Sequence, residues 1–98
     1  IKIAVANNDT QATDQDITIN AGQEILDNLK ENKQLGWVFT SEKKAVDGVK
    51  SGKYYAAIVI PKDFSSSLLS ILSGNLKTPE LDYYINEKVN AIAPKNNK

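Results

Sequence analysis

Ninety-eight residues with 41% hydrophobic and 24% charged content describe one folded domain, not a disordered chain. Twelve basic residues balance twelve acidic ones, so no basic excess points to nucleic acid and no polybasic block to an anionic membrane surface. Neither Cys nor His occurs, which removes disulfides, thiolate and imidazole metal sites, and the usual hydrolase triad.

The opening "IKIAVA" alternates Ile1, Ile3 and Val5 with two alanines, so both faces tolerate burial and a strand near the sheet centre is expected. A chain that begins inside a strand, without Met, reads as a segment of something longer. The polar stretch "NNDTQATDQD" follows and reads as a solvated loop. Its three carboxylates lack the glycine and terminal glutamate of a calcium-binding EF-hand loop. Asn8-Asp9-Thr10 matches the N-glycosylation triplet, a pattern short enough to arise by chance.

Asn20 is placed to cap a first helix, with Gln23 as its capping-box partner and Ile25, Leu26 and Leu29 as the buried stripe. "WVFT" is a short second strand after Gly36. Ser41 caps a second helix whose Ala45, Val46 and Val49 face inward, and Gly52 supplies its left-handed stop. "AAIVI" is apolar on both faces and belongs at the sheet centre, ending at Pro61, which cannot donate to an interior ladder. This run is also the longest apolar one, far short of the ~20 residues that span a bilayer. Asp63 is the expected cap of a third helix with Phe64, Leu68, Leu69 and Leu72 as its core stripe, closed by Gly74. "ELDYYINE" alternates like a half-exposed edge strand.

Strands alternating with helices imply an α/β fold: one domain over residues 1–88, with a four-stranded, mostly parallel sheet in the order 2-1-3-4. Three helices complete a β-α-β-α-β-α-β sequence. Right-handed crossovers then put the first helix on one face and the other two on the opposite face. Residues 89–98 have no pattern and are expected to be an extended tail.

The carboxyl ends of parallel strands form the natural ligand crevice. Asn7, Asn8, Asp9, Lys62, Asp63, Asn86, Glu87 and Lys88 are assigned to that rim. If Asp9 serves a ligand there, its removal abolishes binding without changing the melting temperature. Glycines are scattered singly, so there is no phosphate loop, and no carboxylate pair suggests acid–base catalysis. The chain is read as a non-enzyme with no cofactor and no metal. Trp37, Tyr83 and Tyr84, with the polar loop over residues 7–16, are the candidate interaction surface, and an open edge strand makes a homodimer an expectation.

"VANND", "LDNLKENKQLGWVF", "GVKSGKYYAAIVIPKDFSSSLLSILSG" and "PELDYYINEKVNAIAPK" occur in this order. Together they resemble the N-terminal extracytoplasmic domain of the YhgE/Pip family, the phage infection proteins of Gram-positive bacteria. "SGKYYAAIVIPKDFS" is also similar, more distantly, to ectodomains of type-2 ABC exporter permeases. The resemblance implies a cell-membrane protein with this domain outside the cytoplasm, attached to the bilayer only by transmembrane helices elsewhere. It implies phage or envelope proteins as partners, through phage adsorption, DNA entry or envelope assembly, with no nucleic acid bound by the domain itself. The alternative it leaves open is a ligand-sensing or gating ectodomain of an exporter-like permease.

Overall fold

A computed structural model describes residues 1–86. Glu87, Lys88 and the tail expected over residues 89–98 lie outside the described residues. The strongest apolar runs take the sheet centre, as their composition demands. β1 (Lys2–Asn7) and β5 (Ala56–Ile60) pair in parallel from Ile3↔Ala56 to Asn7↔Ile60. β4 (Gly36–Phe39) adds in parallel outside β1, and β6 (Asp82–Ile85) adds antiparallel outside β5. The order β4-β1-β5-β6 is the expected 2-1-3-4.

Between β1 and the first helix the expected polar loop folds into an antiparallel hairpin of β2 (Ala12–Asp14) and β3 (Ile17–Ile19). Its two-residue turn places Gln15 at φ 55, a left-handed position where sequence rules look for Gly or Asn. The Thr13 and Thr18 hydroxyls meet across the ladder at 2.8 Å. A non-glycine turn and strands of three residues hid this hairpin in the sequence.

Among the described residues the helices are α1 (Ala21–Lys30), α2 (Glu42–Lys50) and α3 (Phe64–Leu72). α2 forms as its sequence predicts, with the Lys44 N–H donating to Ser41 Oγ at 3.2 Å. It lies close to the sheet because both surfaces are built from small residues. Ala4, Ala6, Ala57 and Val59 of the strands meet Ala45 and Val49 of the helix, and Tyr54 closes the cluster. Burying each valine here contributes about 1.5–3 kcal/mol.

The other face is covered by α1, which lies against β1, β4 and α3. The expectation that α3 shares a face with α2 is therefore overturned: α3 packs on α1 and on the hairpin. The handedness rule governs crossovers between parallel strands, and β6 is antiparallel, so α3 is free of it. Its expected core stripe also changes. Leu69 is buried and Phe64 and Leu68 are half-buried, but Leu72 is 64% exposed, while Ser65 and Ser67 are buried instead.

Gly48 stands where α2 crosses Tyr54, and a Cβ there would lie 2.2 Å from the ring. Gly48→Ala is expected to destabilise the fold by about 1–3 kcal/mol through overpacking, read as a lower urea midpoint at unchanged m-value.

Candidate ligand rim and interaction surface

At the carboxyl end of β1 the chain turns away from the sheet through Asn7, whose Oδ1 accepts the Asp9 N–H at 3.1 Å, a local Asx turn. Neighbouring backbone bonds fix this exit, with the Asn8 N–H on Ile60 O at 2.9 Å and the Thr10 N–H on Lys62 O at 3.3 Å. The turn presents the Asp9 carboxylate to two helix starts at once. Oδ2 accepts the Gly22 N–H of α1 at 2.9 Å, and Oδ1 accepts the Ser65 N–H of α3 at 2.9 Å. The Ser65 hydroxyl donates to Oδ2 at 2.6 Å and accepts the Ala21 N–H at 2.9 Å.

The first turns of both helices thus find their acceptors on Asp9 and Ser65. A carboxylate between two N-termini also meets the positive ends of two helix dipoles. Asn20 and Asp63, the caps expected from sequence, occupy the cap positions but make no side-chain cap bond. Gly22 permits the approach, since a Cβ there would fall 2.2 Å from Asn7 Oδ1 and 2.7 Å from Asp9 Cβ. Asp9, assigned from sequence to the ligand rim, has a structural role there: its oxygens hold the rim together.

Of the remaining rim residues, the structure brings Asn8, Lys62 and Asp63 to the same end of the sheet. Asn8 Nδ2 donates to Glu42 Oε1 at 2.8 Å, and Asp63 faces Lys77 Nζ across 3.8 Å, both well exposed. Lys62 is exposed. Asn86 does not join them. Because β6 is antiparallel, its carboxyl end lies at the amino end of the other strands. There Asn86 is buried, with Nδ2 donating to Val49 O and its N–H donating to Tyr55 O. Among the described residues, no group of three carboxylates stands close enough to hold a metal ion.

The aromatic candidates also separate. Trp37 is half-buried on edge strand β4, with its indole N–H donating to Asn32 Oδ1 at 3.0 Å. It lines a shallow groove of about 350 Å³ with Leu29, Leu35 and Phe39. Tyr84 is half-buried against the α2 core, whereas Tyr83 is 63% exposed on the opposite face of β6. Sequence reasoning did not single out the exposed apolar side chains that precede Tyr83 in the chain. The end of α3 and the segment leading into β6 expose Ile71, Leu72, Leu76 and Leu81. Leu72 also borders a groove of about 130 Å³ against Asp14 and Ile17 of the hairpin. On the exposed face of α2, the hydrogen bond and charge of Lys43 hold Asp47 below the usual carboxylate range, and Asp47 raises Lys43 in return. Such an exposed pair contributes little to stability.

The ABC-2 family transporter proteins match residues 1–97 of the chain. YhgE of Bacillus subtilis (strain 168) is 28% identical over 93 residues, covering 94% of this chain and 12% of that protein. The ESX secretion system protein YueB of the same strain is 30% identical over 98 residues, covering 93% of this chain and 9% of that protein. No solved structure matches significantly. The chain thus spans about a tenth of the length of the curated relatives it matches.

Asp9→Ala should destabilise the domain by about 2–4 kcal/mol, because it strips acceptors from two helix starts. Thermal melting followed by circular dichroism checks this, and an unchanged melting temperature would return Asp9 to the pool of ligand candidates.

Proposed function

The chain belongs to the ABC-2 family of transporter proteins, a membrane-associated family, and from that membership we propose that it is a non-catalytic, extracytoplasmic interaction domain. It docks a protein of the cell envelope or of a phage particle. No helix among the described residues is long and apolar enough to cross a membrane, which fits a domain carried outside the bilayer by other parts of a longer protein.

The observation that carries this reading is the run of exposed large apolar side chains from the end of α3 into β6. Leu72, Leu76, Leu81 and Tyr83 are 64%, 73%, 47% and 63% exposed. Exposed large apolar side chains that follow one another along the chain are candidates for a contact site. β6 is also an edge of the sheet among the described residues, where a partner strand or a second copy adds main-chain hydrogen bonds. YueB, by its name an ESX secretion system protein, supports assembly with envelope machinery as the setting. The ligand-sensing alternative draws less support from the rim, because both Asp9 oxygens are committed to helix starts.

The test is made in the cell with the full-length protein. Leu76→Ser, Leu81→Ser and Tyr83→Ser are combined, surface expression is confirmed, and phage adsorption and assembly with envelope partners are measured. These side chains are exposed, so the melting temperature of the isolated chain should hold while adsorption or co-purification of partners falls at least tenfold. Normal adsorption and normal assembly together would overturn the reading.

A further inference from the structure

The zero net charge of the chain conceals an uneven placement that only the fold creates. Lys2 begins β1, Lys30 and Lys33 flank the end of α1, and Lys50 and Lys53 flank the end of α2, all at the amino end of the parallel strands. Each of the five is exposed. In the turns at residues 31–35 and 51–55 the single carboxylate is Glu31. Among the described residues, the ion pairs are Lys43 with Asp47 and Lys77 with Asp63, and neither uses a lysine of this rim.

Part of this pattern has a folding reason. Helix carboxyl ends carry partial negative charge and favour nearby cations, which accounts for Lys30 and Lys50, each in a last turn. Lys53 also stands over the Tyr54 ring, 5.5 Å from its centroid, which leaves its charge exposed; Lys2 and Lys33 have no such folding reason. Two aliphatic side chains sit among them, Ile1 at 74% and Leu35 at 39% exposure, held together by the Gly36 N–H on Ile1 O at 2.8 Å. Both limits of the described chain also reach this rim. Lys2 O accepts the Tyr55 N–H at 2.9 Å, and Tyr55 O accepts the Asn86 N–H at 3.3 Å.

We propose that this rim docks on the surface of an anionic lipid bilayer, with Lys2, Lys33 and Lys53 against the phosphate headgroups and Ile1 and Leu35 in the interfacial layer. Clustered lysines are attracted to an anionic leaflet, and interleaved apolar side chains add burial. The same lysines would also attract a nucleic acid, but Ile1 and Leu35 offer no face on which bases stack. The membrane association of the family favours the bilayer. This inference is independent of the proposed partner surface, which uses the end of α3 and the far end of β6, so either can fail alone.

The test is flotation of the 98-residue chain with phosphatidylglycerol–phosphatidylcholine vesicles, against phosphatidylcholine vesicles alone. Binding is expected only to the anionic vesicles, and it should weaken as salt shortens the screening length from about 10 Å at 0.1 M. The triple variant Lys2→Gln, Lys33→Gln, Lys53→Gln should lower the partition coefficient about fivefold per lysine, roughly a hundredfold together. Lys43→Gln, Lys44→Gln and Lys77→Gln, elsewhere on the molecule, should leave it within about threefold of the unsubstituted chain if only rim charge within a screening length counts. Circular dichroism confirms that both variants are folded, and the lipid and salt comparisons need no variant. No binding, equal binding to neutral vesicles, or equal loss in both variants would overturn the proposal. So would binding to single-stranded DNA as tight as to anionic vesicles with the same lysine dependence.

Discussion

One carboxylate joins the layers of this domain. Asp9 leaves the central strand and accepts backbone hydrogen bonds from the starts of α1 and α3, elements with β4, α2 and β5 between them in the chain. Each helix start presents N–H groups that have no partner within the helix, and burying them unmet would cost far more than a surface contact returns. The arrangement works because Gly22 has no side chain to obstruct it and because the buried Ser65 hydroxyl links the carboxylate to the Ala21 N–H. α3 takes its place beside α1 through this shared anchor.

The same economy governs the opposite face. Alanines in β1 and β5 let α2 come close, and Gly48 lets it pass over Tyr54. Small residues on a helix and a sheet give a tight contact in which volume changes are felt directly. The two faces therefore differ in kind: the α2 face closes on small residues, whereas the other buries Ile3, Val5, Ile60 and Leu69 and adds the hydrogen-bonded junction at the rim, with α1 half-buried along Ile25, Leu26 and Leu29.

The direction of β6 organises everything external. Antiparallel to β5 and at the sheet edge among the described residues, it returns the chain to the amino end of the sheet, beside the start of β5. It also leaves Leu81 and Tyr83 exposed on the approach from α3. The molecule is thereby polarised, with both described chain limits and the surplus of lysines at one end. The capped helix starts and most of the exposed apolar strip stand away from it. For a member of a membrane-associated family, that polarity separates the end proposed to meet a bilayer from the surface proposed to meet a protein.

The sequence by itself determined the α/β class, the strand order, the cap at Ser41, the stop at Gly52 and the family. Each of these rests on local chemistry: runs apolar on both faces, a hydroxyl ahead of a helix, a glycine in a left-handed turn at φ 84. Motif order carried the family in the same way. Asn20 and Asp63 were legible as cap positions, but the side chain that does the capping comes from Asp9, and no local rule relates residues so far apart. The hairpin was hidden because its left-handed turn residue is Gln15. Asn86 was assigned to the wrong end because an alternating strand reads the same in either direction, and only pairing fixes its sense. The charge polarity is of this second kind: lysines spread along a neutral chain become a cluster only where the fold returns three strands and two helix ends to one rim. Tertiary structure decided these points because each depends on contacts between residues distant in sequence, and those are set by packing.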